Sequence, residues 1–220
     1  MGKIRGNLFG NFQGKIGLAY GRMVHGVNLG AAMPTKRPKD YQYTSAEKDR
    51  QFRFKTLAQL ASCFQPANDL GLKAKAKQMG PLTSPFDAFM NINSEHVSVR
   101  GGEAEIDFGS LICSAGKMPA VAFGNASFAE PGRVSVPFQT AADQPGTDAS
   151  DKVYCLIYQP DTNQAILTPG VARTEGTVDV RVPGAWAGMT VHVYGFAIGG
   201  GTDNMGVASD SSYVGTGNIG

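Results

Sequence analysis

Apolar and polar residues alternate with a period of two through the second half of the chain, from Val97 onward. Brief apolar runs are separated there by Gly, Pro, Asn and Asp, which favour turns. This pattern predicts short antiparallel strands that pack as a β-sandwich, immunoglobulin-like or jelly-roll-like. The strand over residues 152–158 is apolar on both faces, so we expect it to be central. The predicted strands cover residues 97–100, 103–108, 120–123, 133–138, 152–158, 165–168, 177–182, 191–198 and 212–214.

Turns and loops connect these strands. The sequence Pro-Asp-Thr-Asn at 160–163 favours a turn by its own chemistry. Trp186, the single tryptophan, follows Pro183-Gly184 and is expected to plug one end of the sandwich. The glycine-rich run at 199–206 and the Gly/Ser-rich end of the chain are expected to be flexible loops or edges.

A helical period appears earlier, after the T-x-x-E capping box of Thr44 and Glu47. Apolar residues follow on one side and mostly basic residues on the other, until Pro66, which is expected to end the helix. We interpret the apolar side as a packing face; the alternative is a docking surface with a cationic face. The apolar residues are Phe54, Leu57, Leu60, Ala61 and Phe64, and the polar ones are Lys48, Arg50, Arg53, Lys55 and Gln59.

Two shorter segments follow. Residues 67–79 fit either a short helix or an edge strand whose lysines discourage pairing with other chains. Ser84-Pro85 is an N-cap followed by proline at the first helical position, which predicts a short helix over 85–91. This helix is expected to turn Phe86, Phe89 and Met90 inward.

The first 34 residues follow neither pattern, because glycine interrupts them at positions 2, 6, 10, 14, 17, 21, 26 and 30. Each glycine disfavours a helix by about 0.5–1 kcal/mol relative to alanine, so we predict an extended ribbon. His25-Gly26 suits a two-residue hairpin turn, and Pro34 ends the returning strand. The expected strand faces carry Ile16, Leu18 and Tyr20 before the turn, and Val27, Leu29, Ala31 and Met33 after it.

Taken together, these elements predict a mainly β protein with a small α part. The antiparallel β-sandwich is preceded by an N-terminal β-ribbon and one or two helices. The predicted domains are a glycine-rich basic arm at 1–43, a helical layer at 44–95 and the sandwich at 96–220. With 220 residues and 42% hydrophobic content, the chain can bury a core without metal or disulfide.

Charge is distributed unevenly along the chain. Residues 1–80 contain fourteen Lys and Arg against four acidic residues, a net charge of +10, which leaves −8 for residues 81–220. A basic half of this kind attracts nucleic acid, an acidic membrane surface or the acidic half of another copy. No apolar run is long enough to span a membrane, and no secretory signal opens the sequence. Cys63, Cys113 and Cys155 cannot all pair and lie among apolar residues, which favours free thiols in a reducing compartment.

No catalytic constellation is present, so we predict neither an enzyme nor a cofactor. The segment from Gly10 to Lys15 is one residue shorter than a phosphate-binding loop and lacks its hydroxyl. The histidines His25, His96 and His192 show no motif with Ser, Cys or Asp. The remaining weak candidates, each better explained by solvated positions than by a metal or sugar site, are Glu103, Glu105, Asp107, Asp203 and Asp210.

Several motifs together resemble one family. They are G-x-F-x-G-K-x-G at 10–17, the ribbon with His25-Gly26, the basic connector, Thr-Ser-Ala-Glu at 44–47, Asp-Lys-Val at 151–153 and Ser-Asp-Ser-Ser-Tyr-Val-Gly at 209–215. They are similar to an uncharacterised family of small proteins of Bacteroidota genomes and their phages. The resemblance spans most of the chain, implies that setting, and supplies no catalytic residues.

A two-stranded ribbon is only marginally stable alone, so we expect this one to add its strands to the sheet edge of a neighbouring subunit. We therefore predict a structural, self-assembling protein, a phage virion component (capsid, decoration or tail) assembled in the host cytoplasm. Its partners are copies of itself or other virion proteins. The alternative location is the bacterial cytoplasm, or the cell surface by a non-classical route. The predicted subunit-interface residues are Ile4, Leu8, Phe9, Phe12, Lys15, Ile16, Leu18, Tyr20, Val27 and Leu29.

Two other hypotheses stay open. One is an immunoglobulin-like binding module that recognises a glycan or a cell-surface partner near Trp186, Tyr194 and Tyr213. The other is contact with nucleic acid or an acidic partner, although the arm lacks the run of adjacent cations typical of a nucleic-acid tail. The candidate cations are Lys3, Arg5, Lys15, Arg22, Lys36 and Arg37.

Overall fold

The computed structural model describes residues 2–3, 14–17, 19–24, 27–33, 36, 38–140 and 145–220. The chain forms two compact units, Met1–Ser45 and Ala46–Gly220. The first contains four short strands, and the second contains the larger sheet and the bodies of the helices.

The N-terminal unit is an antiparallel sheet in the order β1-β4-β3-β2. Its strands are β1 (Gly2–Lys3), β2 (Gly14–Ile16), β3 (Ala19–Val24) and β4 (Val27–Ala32). The last pair of β3 and β4 is Val24 with Val27, the register that a two-residue turn at 25–26 requires. The predicted hairpin is confirmed, while the turn residues His25 and Gly26 lie outside the described residues.

The segment predicted as one strand from Lys15 to the turn is two strands. Gly17 has a φ of +58°, which lets the chain reverse after β2. Lys15 therefore pairs with Tyr20, and Ile16 pairs with Ala19. The prediction that Ile16 and Tyr20 lie on the same face of the sheet is wrong, because it assumed one unbroken strand.

Four helices follow, where one or two were expected: α1 (Ser45–Cys63), α2 (Gln65–Gly71), α3 (Lys73–Met79) and α4 (Pro85–Ile92). α1 begins directly after Thr44, as predicted. Residues 67–79, which fitted a helix or an edge strand, are helical except at Leu72. Pro66 lies in the first turn of α2, where its missing N–H breaks no helical hydrogen bond.

The apolar side of α1 is buried only in its C-terminal half. Leu57, Leu60 and Ala61 are buried, as is Phe64 just beyond the helix. Phe54 was predicted on the same packing face, but it is 65% exposed. The prediction is wrong for Phe54 because the helix is about 28 Å long at 1.5 Å per residue and the core covers only its second half.

The short helix α4 forms as predicted. The Ser84 hydroxyl oxygen accepts from the Asp87 N–H at 3.1 Å, and the Asp87 carboxylate accepts from the Ser84 N–H at 3.1 Å. This reciprocal capping box fixes the helix start. Phe89 is fully buried, and Phe86 and Met90 pack against the same core.

The remaining strands of the described residues build the second unit. The bounds of β5 to β13 are Val97–Arg100, Glu103–Ile106, Arg133–Pro137, Lys152–Gln159, Gln164–Leu167, Val171–Ala172, Thr177–Arg181, Thr190–Ile198 and Ser212–Asn218. The largest sheet has five antiparallel strands, in which β12 pairs with β8 and β13, and the other edge of β8 pairs with β9 and β10. β7 pairs with β11, and β5 with β6.

Both faces of the five-stranded sheet are buried. Leu156 of β8 lies in one core with residues of the helices, such as Leu60 and Phe89. Its neighbours Cys155 and Ile157 lie in a second core with residues of β7 and β11. The predicted central place of this strand is therefore confirmed, and two antiparallel sheets face each other with the helices on the outer side of the larger one.

The strand predictions failed where pairing is short or glycine-rich. Residues 120–123 form only an isolated bridge between Phe123 and Phe138, because Pro119 and Gly124 flank the segment closely. β10 has two residues and gave no sequence signal. β13 extends to Asn218, four residues past its predicted end, because tertiary pairing with β12 overrides the low strand propensity of its glycines.

Candidate assembly surface

Four glycines lie side by side across the N-terminal sheet, one from each strand. Gly2 pairs with Gly30, Gly30 with Gly21, and Gly21 with Gly14. Because directly paired residues share a sheet face, one face of this sheet has no side chain along a line that crosses all four strands. We call this feature the glycine row. Glycine in a strand marks places where another backbone approaches closely.

Larger residues border the glycine row on the same face. The register places Ile16, Ala19 and Ala32 in the row on one side, and Met23 with Asn28 in the row on the other. The glycine row itself presents only backbone between these two rows, so another extended chain can stack closely along it.

The opposite face of this sheet is bulkier and basic. Lys15, Tyr20 and Ala31 form one cross-strand row, and Arg22 pairs with Leu29 in the next. Lys15 and Arg22 are exposed, whereas Leu29 is buried. Two of the candidate cations thus share a face that suits an acidic partner.

The structure describes only part of the predicted interface. Lys15, Ile16, Tyr20, Val27 and Leu29 lie in its strands, and their contact with a partner stays a prediction. Among the candidate cations, Lys3 lies in β1 and Lys36 is exposed. The candidates outside the described residues are Ile4, Leu8, Phe9, Phe12 and Leu18, together with Arg5 and Arg37.

Sequence reasoning noted the glycines but missed their alignment. The predicted turn at 25–26 already pairs Val24 with Val27, and it therefore pairs Gly21 with Gly30. The alignment of Gly14 depended on the reversal at Gly17. β1 gave no signal, because a two-residue strand has no period.

His192, in β12, contacts a tyrosine and a phenylalanine. His192 Nδ1 lies 2.9 Å from the Tyr213 hydroxyl, and its ring stacks on Phe108 with centroids 4.0 Å apart. Burial lowers the pKa of His192. A neutral imidazole beside two aromatic rings suits the core.

The acidic candidates occupy solvated positions. Glu103, Glu105 and Asp107 are exposed on or just after β6, and Glu105 lies 3.8 Å from the exposed Arg100. Asp210 accepts a hydrogen bond from the Gly116 N–H at 3.0 Å. Within the described ranges, no group of three His, Cys, Asp or Glu residues is placed to hold a metal ion.

The cysteines are free thiols. Burial raises the pKa of both Cys113 and Cys155 to about 12. Cys63 is half-buried, its thiol donates to the Asn163 carbonyl at 2.9 Å, and burial raises its pKa. Thiols whose pKa is raised stay protonated near neutral pH and are poor nucleophiles.

The aromatic residues proposed for glycan binding are inward. Trp186 is 1% exposed, in the core with β7 and β11, and Tyr194 is fully buried and donates to the Phe108 carbonyl at 2.8 Å. Tyr213 is half-buried against His192. A sugar stacks on an exposed ring face, so Trp186 and Tyr194 offer no platform in this arrangement.

The comparisons with known proteins place the chain in a family. The model of a family of unknown function (DUF6266) matches residues 11–215, so the chain belongs to this family. The expectation of an uncharacterised family is thereby confirmed. No curated protein matches the sequence. Across the part of the chain that the structure describes, none of the helices has the length and apolar character needed to cross a bilayer.

Proposed function

We propose that this protein is a self-assembling structural protein, a phage virion component (capsid, decoration or tail) of a Bacteroidota host. Its N-terminal sheet joins a neighbouring subunit. The observation that supports this proposal is the glycine row, in which Gly2, Gly14, Gly21 and Gly30 lie in one line.

The glycine row supports assembly because it costs stability within the chain. Glycine in a strand loses more backbone entropy than any other residue and contributes no side chain to a core. Four aligned glycines are reasonable where another backbone must come close. In this proposal that backbone belongs to the next subunit.

The open edges of the N-terminal sheet support the same proposal. Among its described strands, β1 and β2 stand at the two ends of the order β1-β4-β3-β2. The outer edge of such a strand can pair with a strand of another chain, which is the basis of β-augmentation. The setting that follows is a virion assembled in the host cytoplasm, which also suits free thiols.

The decisive variant fills the glycine row without weakening the strand. Gly30 lies in a regular antiparallel ladder, where threonine is a better strand former than glycine. We expect Gly30→Thr to raise the concentration needed for assembly at least tenfold in light scattering. The matched comparison is Ala31→Thr, one residue along on the opposite face, which should raise this concentration much less than Gly30→Thr does.

Deletion of residues 1–34 provides a second test, because it removes the whole N-terminal sheet. The compact unit Ala46–Gly220 remains, so circular dichroism should show a folded protein. Particles of unchanged size after this deletion, or equal effects of Gly30→Thr and Ala31→Thr, would refute the proposed role of the arm.

A further inference from the structure

A shallow groove runs between the exposed half of α1 and α4. It has a volume of about 530 Å³ and is lined by Arg50, Arg53, Phe54, Leu57, Phe86 and Met90, among others. Phe54 is 65% exposed, while Leu57 below it is buried. The groove thus combines an apolar floor, an exposed aromatic wall and two arginines with one carboxylate, Asp87. Aromatic residues and arginine are enriched in protein interfaces.

The loop at residues 199–206, between β12 and β13, presents the complementary feature. Its base is closed by hydrogen bonds from the Gly199 N–H to the Val207 carbonyl at 2.8 Å and from the Gly206 N–H to the Gly199 carbonyl at 2.9 Å. At its tip, Met205 is 74% exposed and Asp203 is exposed. Met205 is the most exposed large apolar side chain among the described residues.

Asn204 holds the tip of this loop. Its Oδ1 accepts from the Gly201 N–H at 2.8 Å, and its Nδ2 donates to the buried Asp151 carboxylate at 2.9 Å. These bonds hold the backbone next to Met205 in place, which lowers the entropy cost of ordering the loop on docking. This segment was expected to be a flexible loop or an edge, because its glycines gave no sign of the contact with Asp151.

We propose that the 199–206 loop of one copy docks into the α1–α4 groove of a second copy, with Met205 against Phe54 and Asp203 beside Arg50 and Arg53. This inference rests on the proposed self-assembly and names a contact of the assembly. The charges favour a second copy as occupant, since residues 1–80 carry +10 and residues 81–220 carry −8.

The two surfaces are different parts of the chain, so the contact is heterologous. Each copy offers one groove and one loop, and contacts of this kind close into rings or continue as open filaments. The groove and loop are a small area by themselves, so they act together with the N-terminal contact through avidity.

Disulfide trapping in the full-length chain tests this contact directly. The double variant Phe54→Cys with Met205→Cys should give a ladder of crosslinked multimers under mild oxidation, because every copy carries both halves of the contact. The matched controls are Phe52→Cys with Met205→Cys and Phe54→Cys with Met79→Cys, which use exposed side chains that the groove and loop do not share. The controls should give no ladder.

Charge variants in the double-cysteine background add a second readout. Asp203→Lys should slow trapping at least tenfold, and adding Arg53→Glu should restore most of the rate. Control variants that form as much ladder as Phe54→Cys with Met205→Cys would overturn the inference. So would a trapping rate that Asp203→Lys leaves unchanged.

The two proposals fail in different ways. If no ladder forms while the unmodified chain assembles and Gly30→Thr blocks assembly, the loop contact is wrong and the proposed function stands. If the unmodified chain is a monomer at every concentration and no ladder forms, both are wrong.

Discussion

Replacement of Asp151 by asparagine should destabilise this protein more than replacement of its partner, Arg173, by methionine. Asp151 is fully buried, and its Oδ2 lies 3.8 Å from Nη1 of Arg173, whose side chain is 2% exposed. The carboxylate accepts from the Asp148 N–H at 2.9 Å, the Gly200 N–H at 3.1 Å and Asn204 Nδ2 at 2.9 Å. It therefore ties three chain segments together.

The cost of Asp151→Asn follows from these contacts. The amide keeps one acceptor oxygen for Gly200 and Asn204, but its NH2 group then faces the Asp148 N–H, so one charged hydrogen bond is replaced by two opposed donors. A hydrogen bond to a charged group contributes about 1.5–3 kcal/mol. The change also leaves the buried Arg173 without its counter-charge, and breaking a buried pair costs about 3–5 kcal/mol. Since the two terms overlap, we expect a loss of about 3–5 kcal/mol.

Arg173→Met should lower the free energy of unfolding less, because several hydrogen-bond donors of Arg173 have no acceptor within the described part of the chain. Its Nε and Nη1 are buried and have no hydrogen-bond partner among the described residues. Burial lowers the pKa of the Arg173 guanidinium, and the nearby Asp151 carboxylate opposes that change. Methionine removes two unpaired donors and leaves a carboxylate that still accepts three hydrogen bonds, so we expect a loss of about 1–3 kcal/mol.

Urea unfolding followed by circular dichroism measures both free energies of unfolding. The double variant Asp151→Asn with Arg173→Met should recover part of the larger loss, because no buried charge is left unpaired. Equal losses in the two single variants, or a larger loss for Arg173→Met, would refute the assignment of Asp151 as the centre of this junction.

Three further outcomes follow from burial and close packing. The buried thiol of Cys113 has a pKa raised to about 12 from an ordinary 9.0. The stability that its protonated form contributes is therefore fully present below pH 9 and is lost as the pH rises towards 12, at about 1.4 kcal/mol per pH unit. Cys113→Ala should flatten that slope in alkaline unfolding titrations. Gly195→Ala should cost about 1–3 kcal/mol in thermal unfolding, because a Cβ there collides with the ring of Phe123, whereas Gly184→Ala, which meets nothing within 4 Å, should be nearly neutral. Ser84→Ala should cost about 1 kcal/mol through loss of the cap of α4, and an unchanged midpoint would contradict that role.

The elements that sequence predicts well are those with a local physical signal. Ser84-Pro85 predicts the start of α4 because helix capping depends on a few adjacent residues. The strand 152–158 was placed at the centre because both of its faces are apolar, and burial on both faces is the only way to hide them. The Pro-Asp-Thr-Asn turn also forms, with Asn163 at a φ of +51°.

The elements that the sequence does not predict depend on contacts between distant residues. Phe54 has the same helical spacing as Leu57, and only the extent of the core decides that one is exposed and the other buried. Arg173 and Asp151 are separated by 22 positions and no motif, so their burial as a pair is invisible in the chain. The alignment of the four glycines depends on the registers of three strand pairs, β1–β4, β3–β4 and β2–β3. Only the β3–β4 register was predictable from the sequence.

The groove and the loop share one feature: each exposes a large apolar side chain, Phe54 or Met205, that neither core buries. The apolar residues of the five-stranded sheet are buried on both of its faces, by the helices on one face and by β7 and β11 on the other. The first half of α1 contributes nothing to either core and carries its arginines and Phe54 outward. Its sign of charge is that of the first 80 residues, which repel each other between copies. In the proposed assembly, the basic region of one copy therefore faces the acidic region of the next, and this head-to-tail order is what a heterologous contact requires.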